Sequence, residues 1–402
     1  MQQWKRNLYT VWFTQLLSLM GFGFGLPFLP FFIQDLGVSD PAELKLWTGI
    51  LASAPAVTMA VMAPVWGALA DRVGKKTMLI RAMFGGMAVL IGTGLAQSVY
   101  QVLLFRILQG LLTGTVTSSA ALVASGTPDN KLSYALGFIS SSTFIGWSLG
   151  PAAGGLIAEQ FGYRTSFFIG SGILFIGLLL VILLITEPAK TPDNPDSEKT
   201  DKMQSDTNIL SFSFGILFLL FFMLRICRTL PTPFLPLYIQ ELRGTIEGSA
   251  RITGLLSGGI GCMSAVSGLT LSRLGDRYDK LKLMTVLLGA GFAASTVILF
   301  SSSFAALAAT MMATYFFIGG IEPLLMSLTS QKVASKNRGL LFGIQTAVGS
   351  VAWFASPMLG SWVSIEFSLD TVFILFTALL AATMAASAAV RRRLRKRTYS
   401  SI

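Results

Sequence analysis

Eleven stretches of this chain, each 18 to 39 residues long, contain no Asp, Glu, Lys or Arg. They cover Asn7–Gln34, Leu46–Ala70, Ala82–Phe105, Ile107–Pro128, Leu132–Ala158, Thr165–Thr186, Thr207–Leu224, Ile252–Ser272, Leu283–Ile321, Gly339–Ile365 and Thr371–Val390. A helix that crosses a bilayer needs about 20 apolar residues in a row, because hydrocarbon offers no water to satisfy the backbone. The 39-residue run is too long for one helix and is divided by the polar segment at 301–304. Twelve spans result, six on each side of a polar stretch at 187–206. Only 12% of the residues are charged, against about 25% in soluble domains. Mean hydropathy is +0.67. The expected fold class is therefore an all-α integral membrane protein with twelve transmembrane helices.

The net charge of +11 does not signal nucleic acid once its location is considered. With the N-terminus inside, the termini and even-numbered connections hold 23 of the 30 Lys and Arg residues. The odd-numbered connections hold only Lys45, Arg164, Arg243 and Arg251. This positive-inside asymmetry predicts that both termini are cytoplasmic in a cell (inner) membrane. The tail "RRRLRKR" at 391–397 then reads as an anchor near anionic headgroups. The first span begins within ten residues of Met1 and is too long for a signal peptide's apolar region, so it is expected to stay. Histidine is absent, and Cys227 and Cys262 fall inside spans, where small apolar packing is their ordinary role.

The chain also repeats itself. "PFLPFFIQDL" at 27–36 returns as "PFLPLYIQEL" at 233–242, an offset of 206. Trp147 and Pro151 return as Trp353 and Pro357 at the same offset, and Asp71-Arg72 as Asp276-Arg277 at 205. Because six is even, both copies enter the membrane in the same direction. The expected organisation is a six-helix bundle at 1–186, a linker at 187–207, a second bundle at 208–390 and a basic tail at 391–402. Two such bundles, related by a pseudo-two-fold axis along the membrane normal, can rock about a central cavity. The PFLP prolines free backbone groups near the ends of spans 1 and 7 and permit bends there.

Three motifs carry a resemblance over nearly the whole chain. The first is Gly67-Ala-Leu-Ala-Asp71-Arg72-Val-Gly74-Lys75-Lys76 between spans 2 and 3. The second is "LLFRILQGLLTG" at 103–114, through Arg106, Gln109, Gly110 and Gly114. The third is Gly146-x-x-x-Gly150-Pro151-x-x-Gly154-Gly155 in span 5. With these the sequence resembles the major facilitator superfamily, specifically its twelve-helix drug:proton antiporter (multidrug efflux) branch. The resemblance implies a functional monomer that exports small amphipathic compounds against protons by alternating access. It implies that the Asp71 carboxylate meets the start of span 11, near Gly339, and so latches the halves on the cytoplasmic side. Asp276 and Arg277 are the equivalents in the second half. It further ties Arg106 to proton coupling, and assigns the span 5 glycines an export role.

The residues themselves add several expectations. Gly67 and Gly74 allow close helix approach and a tight turn. Gly146, Gly150 and Gly154 form a small-residue seam, and Pro151 a kink. A cation at Arg106 must face protein or water, although the residues alone leave a snorkelling arginine open. Glu322 is the sole acidic residue placed within a span, either protonatable or a structural partner for an arginine. Arg225 and Arg228 share a face of span 7, expected at about 213–238. On the expectation that Glu322 accounts for one of them, the other would meet an anionic substrate group or an aqueous vestibule. Gln15, Gln109, Gln345, Trp147 and Trp353 are candidate cavity groups, with interhelical packing as the ordinary alternative.

Span 1 lacks the carboxylate that many proton-coupled exporters carry, leaving Glu322 or the Asp71 loop for any proton. The rival readings are a carrier of an anionic metabolite or lipid-linked head group, and a non-transporting receptor or scaffold. An enzyme is not expected: there is no nucleophile–His pair, metal cluster or phosphate loop, and no cofactor or metal is called for. Expected partners are a small-molecule substrate, protons and the lipid bilayer, with no nucleic acid.

Overall fold

The computed structural model describes residues 2–128, 131–187, 212–275, 277–300, 303–330 and 338–399. Twelve helical passes run through them. Helix 1 is Gln3–Gly25, a 3₁₀ turn at Leu26–Phe28, then Leu29–Asp35. Helices 2 and 3 are Pro41–Val73 and Lys75–Leu95. Helix 4 is Val99–Leu112 with Thr115–Gly126. Helices 5 and 6 are Leu132–Phe161 and Tyr163–Leu184. Helix 7 is Phe212–Thr229 with Leu235–Arg243, and helix 8 is Ser249–Leu274. Helix 9 is Lys280–Ser295, ending in a 3₁₀ turn at Thr296–Phe300. Helix 10 is Phe304–Gly319 with Ile321–Ser330. Helices 11 and 12 are Arg338–Glu366 and Leu369–Tyr399. Among the described residues ten of these passes are long and apolar enough to cross a membrane. The other two are helix 5, rich in Gly and Ser, and helix 7, interrupted at 230–234.

The interruptions follow a rule. Helices 1, 4, 7 and 10, every third pass, are each built in two segments. Gly114, at φ +121°, breaks helix 4 with a backbone conformation that suits glycine. Pro231 and Pro233 supply no N–H to the carbonyls of Cys227 and Thr229, so helix 7 does not continue to 238 as one rod. Carbonyls at the break find other donors: Thr232 Oγ1 donates to Thr229 O at 2.7 Å, and Tyr315 Oη to Arg228 O at 2.7 Å. In helix 10, Pro323 has no N–H for the Gly319 carbonyl, while Ser267 Oγ accepts from Gly320 N at 2.7 Å.

Two connections are a single residue long. Gly74 (φ +100°) alone joins helices 2 and 3, and Gly162 (φ +84°) alone joins helices 5 and 6. The turn expected of Gly74 is present. The first turn of helix 3 is closed by Glu187, whose carboxylate accepts from Lys75 N at 2.7 Å and Lys76 N at 2.8 Å. Lys76 Nζ in turn donates to Ile182 O at 2.8 Å. Sequence reading placed Glu187 in the linker and missed this role.

Each half has its own apolar core. Phe22, Phe32, Phe167 and Leu174 lie at the centre of one, and Phe234, Tyr238, Phe373 and Phe376 at the centre of another. Large apolar side chains also stand outward, with Leu183 74% and Phe300 87% exposed. A soluble monomer would rarely expose so many; a lipid-embedded one does so by necessity.

The two halves meet along helices 5 and 8 and along helices 2 and 11. Call the face carrying the odd-numbered connections the odd face, and the one carrying the termini the terminal face. The described hydrogen bonds between halves lie toward the odd face or at mid-depth. They join Lys45 Nζ to Ser364 O (2.9 Å), Ser361 Oγ to Lys45 O (3.0 Å), Ser53 Oγ to Phe354 O (3.0 Å) and Ser148 Oγ to Gly258 O (2.7 Å). Gln34 and Gln240 bond to each other at the odd face itself.

Candidate functional site

The charged centre of the bundle is built by two broken helices. Arg225 and Arg228 occupy the last turn and a half of helix 7's first segment, three residues apart and so on one side. Glu322 lies in the first turn of helix 10's second segment, where free backbone N–H groups favour an anion. Arg225 Nη2 stands 2.6 Å from Glu322 Oε1, and Arg228 Nη1 2.6 Å from Glu322 Oε2. One carboxylate thus serves both arginines, one oxygen each. This corrects the expectation that Glu322 could account for only one: a carboxylate has two oxygens and about four lone-pair sites. The cluster keeps a formal charge of +1, and the Arg225 side chain is 43% exposed. Phe221 flanks the Arg225 guanidinium at 5.5 Å, and Gly349 of helix 11 lies beside it.

Arg106 is buried in the other half, so it does not snorkel. Its Nε donates to Leu51 O at 2.7 Å and its Nη1 to Gln109 Oε1. The acceptor exists because of Pro55, which has no N–H to give the carbonyl four residues back. Helix 4 comes this close because Gly110 faces Thr58 and the Pro55 carbonyl, where a Cβ would collide with both. Arg106 and Glu322 are not brought together; each is satisfied within its own half. Restoring the missing donor with Pro55→Ala is expected to compete with Arg106 for Leu51 O. The variant should keep wild-type thermal stability or gain, yet lose at least severalfold the export that the resemblance implies. Unchanged export in drug-accumulation assays would show that the Arg106–Leu51 bond carries no function.

Trp66 and Arg81 form a further cluster that sequence reading did not assign. Trp66 Nε1 donates to Leu111 O at 2.7 Å, just before the break in helix 4. The Arg81 guanidinium stacks over the Trp66 ring at 3.7 Å. Arg81 lies nearly two turns into helix 3.

The glutamines expected in the cavity are buried between helices in this conformation. Gln15 bonds to Thr143 Oγ1 at 3.3 Å, Gln345 to Thr329 Oγ1 at 2.8 Å, and Gln109 holds Arg106. An amide leaving water needs such partners. Trp147 is 41% exposed, on the side of helix 5 opposite the exposed Leu149 and Leu156, and Trp353 is half-buried at the equivalent place on helix 11.

The small-residue seam is real and has two sides. A Cβ on Gly150 or Gly154 would lie 2.7 Å from Met20 O or 2.5 Å from Phe24 Cα, both helix 1 backbone. Gly155 instead faces helix 8, 2.6 Å from Ala250 O and 3.0 Å from Gly254 Cα. Gly146 faces Leu19 and the Leu16 carbonyl, and Pro151 is buried within helix 5. Gly67, by contrast, has nothing within 4 Å of its Cβ position, so it makes no close helix approach here. Of the proposed latch, Arg72 is exposed and Lys75 and Lys76 are half-buried. The Asp71 side chain, that of Gly339's segment at 338–340, and residue Asp276 lie outside the described part; Arg277 is exposed in the helix 8–9 turn.

Comparisons with known proteins agree with this architecture. The family model of the Major Facilitator Superfamily matches residues 11–245 and again 217–401. The multidrug resistance protein MdtG of Proteus mirabilis (strain HI4320) is 31% identical over 377 residues, 92% of each chain. That of Klebsiella pneumoniae (strain 342) is 31% identical over 92% of this chain and 90% of its own. Among solved structures, a bacterial homolog of the human lysosomal transporter Spinster, crystallised inward-facing and occupied, overlays with a TM-score of 0.77 at 14% identity, covering 96% of each chain. The human organic anion transporter MFSD10 (TETRAN) overlays at 0.72 and 18% identity, covering 96% of this chain and all of its own. With twelve helical passes, an apolar exterior and relatives along nearly its whole length, this multi-pass membrane protein belongs to the Major Facilitator Superfamily, a class of transporters rather than enzymes.

Proposed function

We propose that the chain exports small amphipathic compounds of the drug type, driven by the proton gradient through alternating access. The terminal face is cytoplasmic and the odd face external, as the distribution of Lys and Arg supports. The observation that carries the reading is the closure between the halves at the odd face. Described hydrogen bonds join the halves there, as a closed outer mouth requires, in a chain whose relatives are named multidrug resistance proteins. The Arg225–Glu322–Arg228 cluster supplies the charged element of the central cavity, with Trp147 and Trp353 as aromatic surfaces. The anionic-metabolite reading is less supported, because Glu322 already takes up one of the two positive charges.

Expression in a drug-sensitive bacterium lacking its own pumps should confer resistance to a cationic dye, and vesicles should export the dye only under an imposed pH gradient. Export indifferent to that gradient would remove proton coupling, and absence of resistance to any amphipathic compound would remove drug export. External cysteine labelling that reached Lys280 would invert the topology. Within this scheme Asp71→Asn should slow export severalfold while leaving insertion intact; unchanged kinetics would dismiss the cytoplasmic latch.

A further inference from the structure

The repeated decapeptides at 27–36 and 233–242 fold into matching arms. In each, a proline sits in the first turn of a short helix, Pro30 in Leu29–Asp35 and Pro236 in Leu235–Arg243. The proline three residues earlier, Pro27 or Pro233, lies in the interruption of the long helix behind it. Equivalent apolar side chains anchor both arms: Phe28 and Phe234, Phe32 and Tyr238, and Ile33 and Ile239 are all buried. The next residue in each arm is a half-buried glutamine. Gln34 Nε2 donates to Gln240 Oε1 at 3.0 Å, and Gln240 Nε2 donates to Gln34 Oε1 at 3.1 Å. The same position of the two copies therefore meets itself across the pseudo-two-fold axis.

Few side chains can do this. A residue that pairs with its own kind about a two-fold must offer donor and acceptor from one group, which a primary amide does and a carboxylate or guanidinium does not. The other described hydrogen bonds between halves run from a side chain to a backbone carbonyl and lack this reciprocity.

We propose that Gln34 and Gln240 are the latch of the external gate: a neutral, self-complementary amide pair that closes the outer mouth and parts once in every transport cycle. The proposal rests on the alternating-access reading above. Neutrality suits the task, since water replaces each bond on opening, so the pair biases the equilibrium without locking it.

The test uses the full chain carrying Cys227→Ala and Cys262→Ala, in vesicles. Gln34→Cys with Gln240→Cys should be bridged by a short bifunctional methanethiosulfonate, which spans the gap the two amides fill and stops export, and reductant should restore it. Failure of the reagent to bridge the two thiols, or export at the unlinked rate once they are bridged, overturns the latch. A reporter, Ser53→Cys, is buried against the Phe354 carbonyl and is reachable from outside only when the halves part. Gln34→Ala or Gln240→Ala should raise its labelling by a membrane-impermeant maleimide about three- to tenfold. The double variant should exceed neither single one, because either change breaks both bonds. Labelling unmoved by both alanines overturns the proposal. Labelling needs no substrate, and export by the unlinked parent is measured in the same vesicles. A parent without export thus counts against the transport reading, and an unresponsive reporter in an active parent against the latch alone.

Discussion

Glu322→Gln is expected to abolish export and to lower stability, because it removes the anion shared by two arginines at once. Arg225 can turn toward water, but Arg228 is 22% exposed and would keep its charge among apolar neighbours. Breaking a buried pair by removing one partner costs about 3–5 kcal/mol, and partial exposure reduces that here to about 2 kcal/mol or more. The measurement is thermal unfolding in detergent beside dye accumulation in cells. Glu322→Gln combined with Arg228→Gln should regain much of the lost stability by restoring charge balance, yet still fail to export. If Glu322→Gln alone kept both stability and export, the cluster would be incidental. Recovery of export in the double variant would assign it a purely structural role.

Two glycines on facing helices should fail in different ways. Gly154→Val drives a side chain into the backbone of Phe24, within one half, where no rotamer change can yield. Overpacking of this kind costs about 1–3 kcal/mol and should appear as lower expression and earlier unfolding. Gly254→Val points at the Pro151 carbonyl and at Gly155 Cα, 2.9 Å away, across the contact between halves. Each half can keep its fold, so expression should stay near wild type while export drops at least tenfold. A Gly254→Val protein that exports normally would show that closure does not pass through helices 5 and 8.

The sequence made the passes legible because lipid forbids unpaired charge, and absence of charge is directly readable. It revealed a tight turn at Gly74 and the seam at Gly146, Gly150 and Gly154 for similar reasons: only glycine fits. It was less informative wherever a side chain is satisfied by backbone. The partner of Arg106 is the Leu51 carbonyl, announced only by Pro55 four residues on. The arrangement at Arg225, Arg228 and Glu322 escaped because residues were paired one to one, whereas hydrogen bonding pairs atoms. Gln15, Gln109 and Gln345 were expected in a cavity on polarity alone, and burial between helices depends on rotation that spacing does not fix. Gln34 and Gln240 were in plain view inside the repeat, but their meeting needs the two-fold axis, which is a property of assembly.

The single-glycine joints at Gly74 and Gly162 hold no slack, so helices 2 and 3, and helices 5 and 6, must swing as stiff levers. Compliance is available within passes instead, at the interior breaks of helices 1, 4, 7 and 10. Arg106 lies six residues before the end of helix 4's first segment, Arg228 one residue before that of helix 7, and Glu322 three residues beyond that of helix 10. The charges are thus mounted beside the flexures, where a small change in their pairing gains the longest mechanical reach.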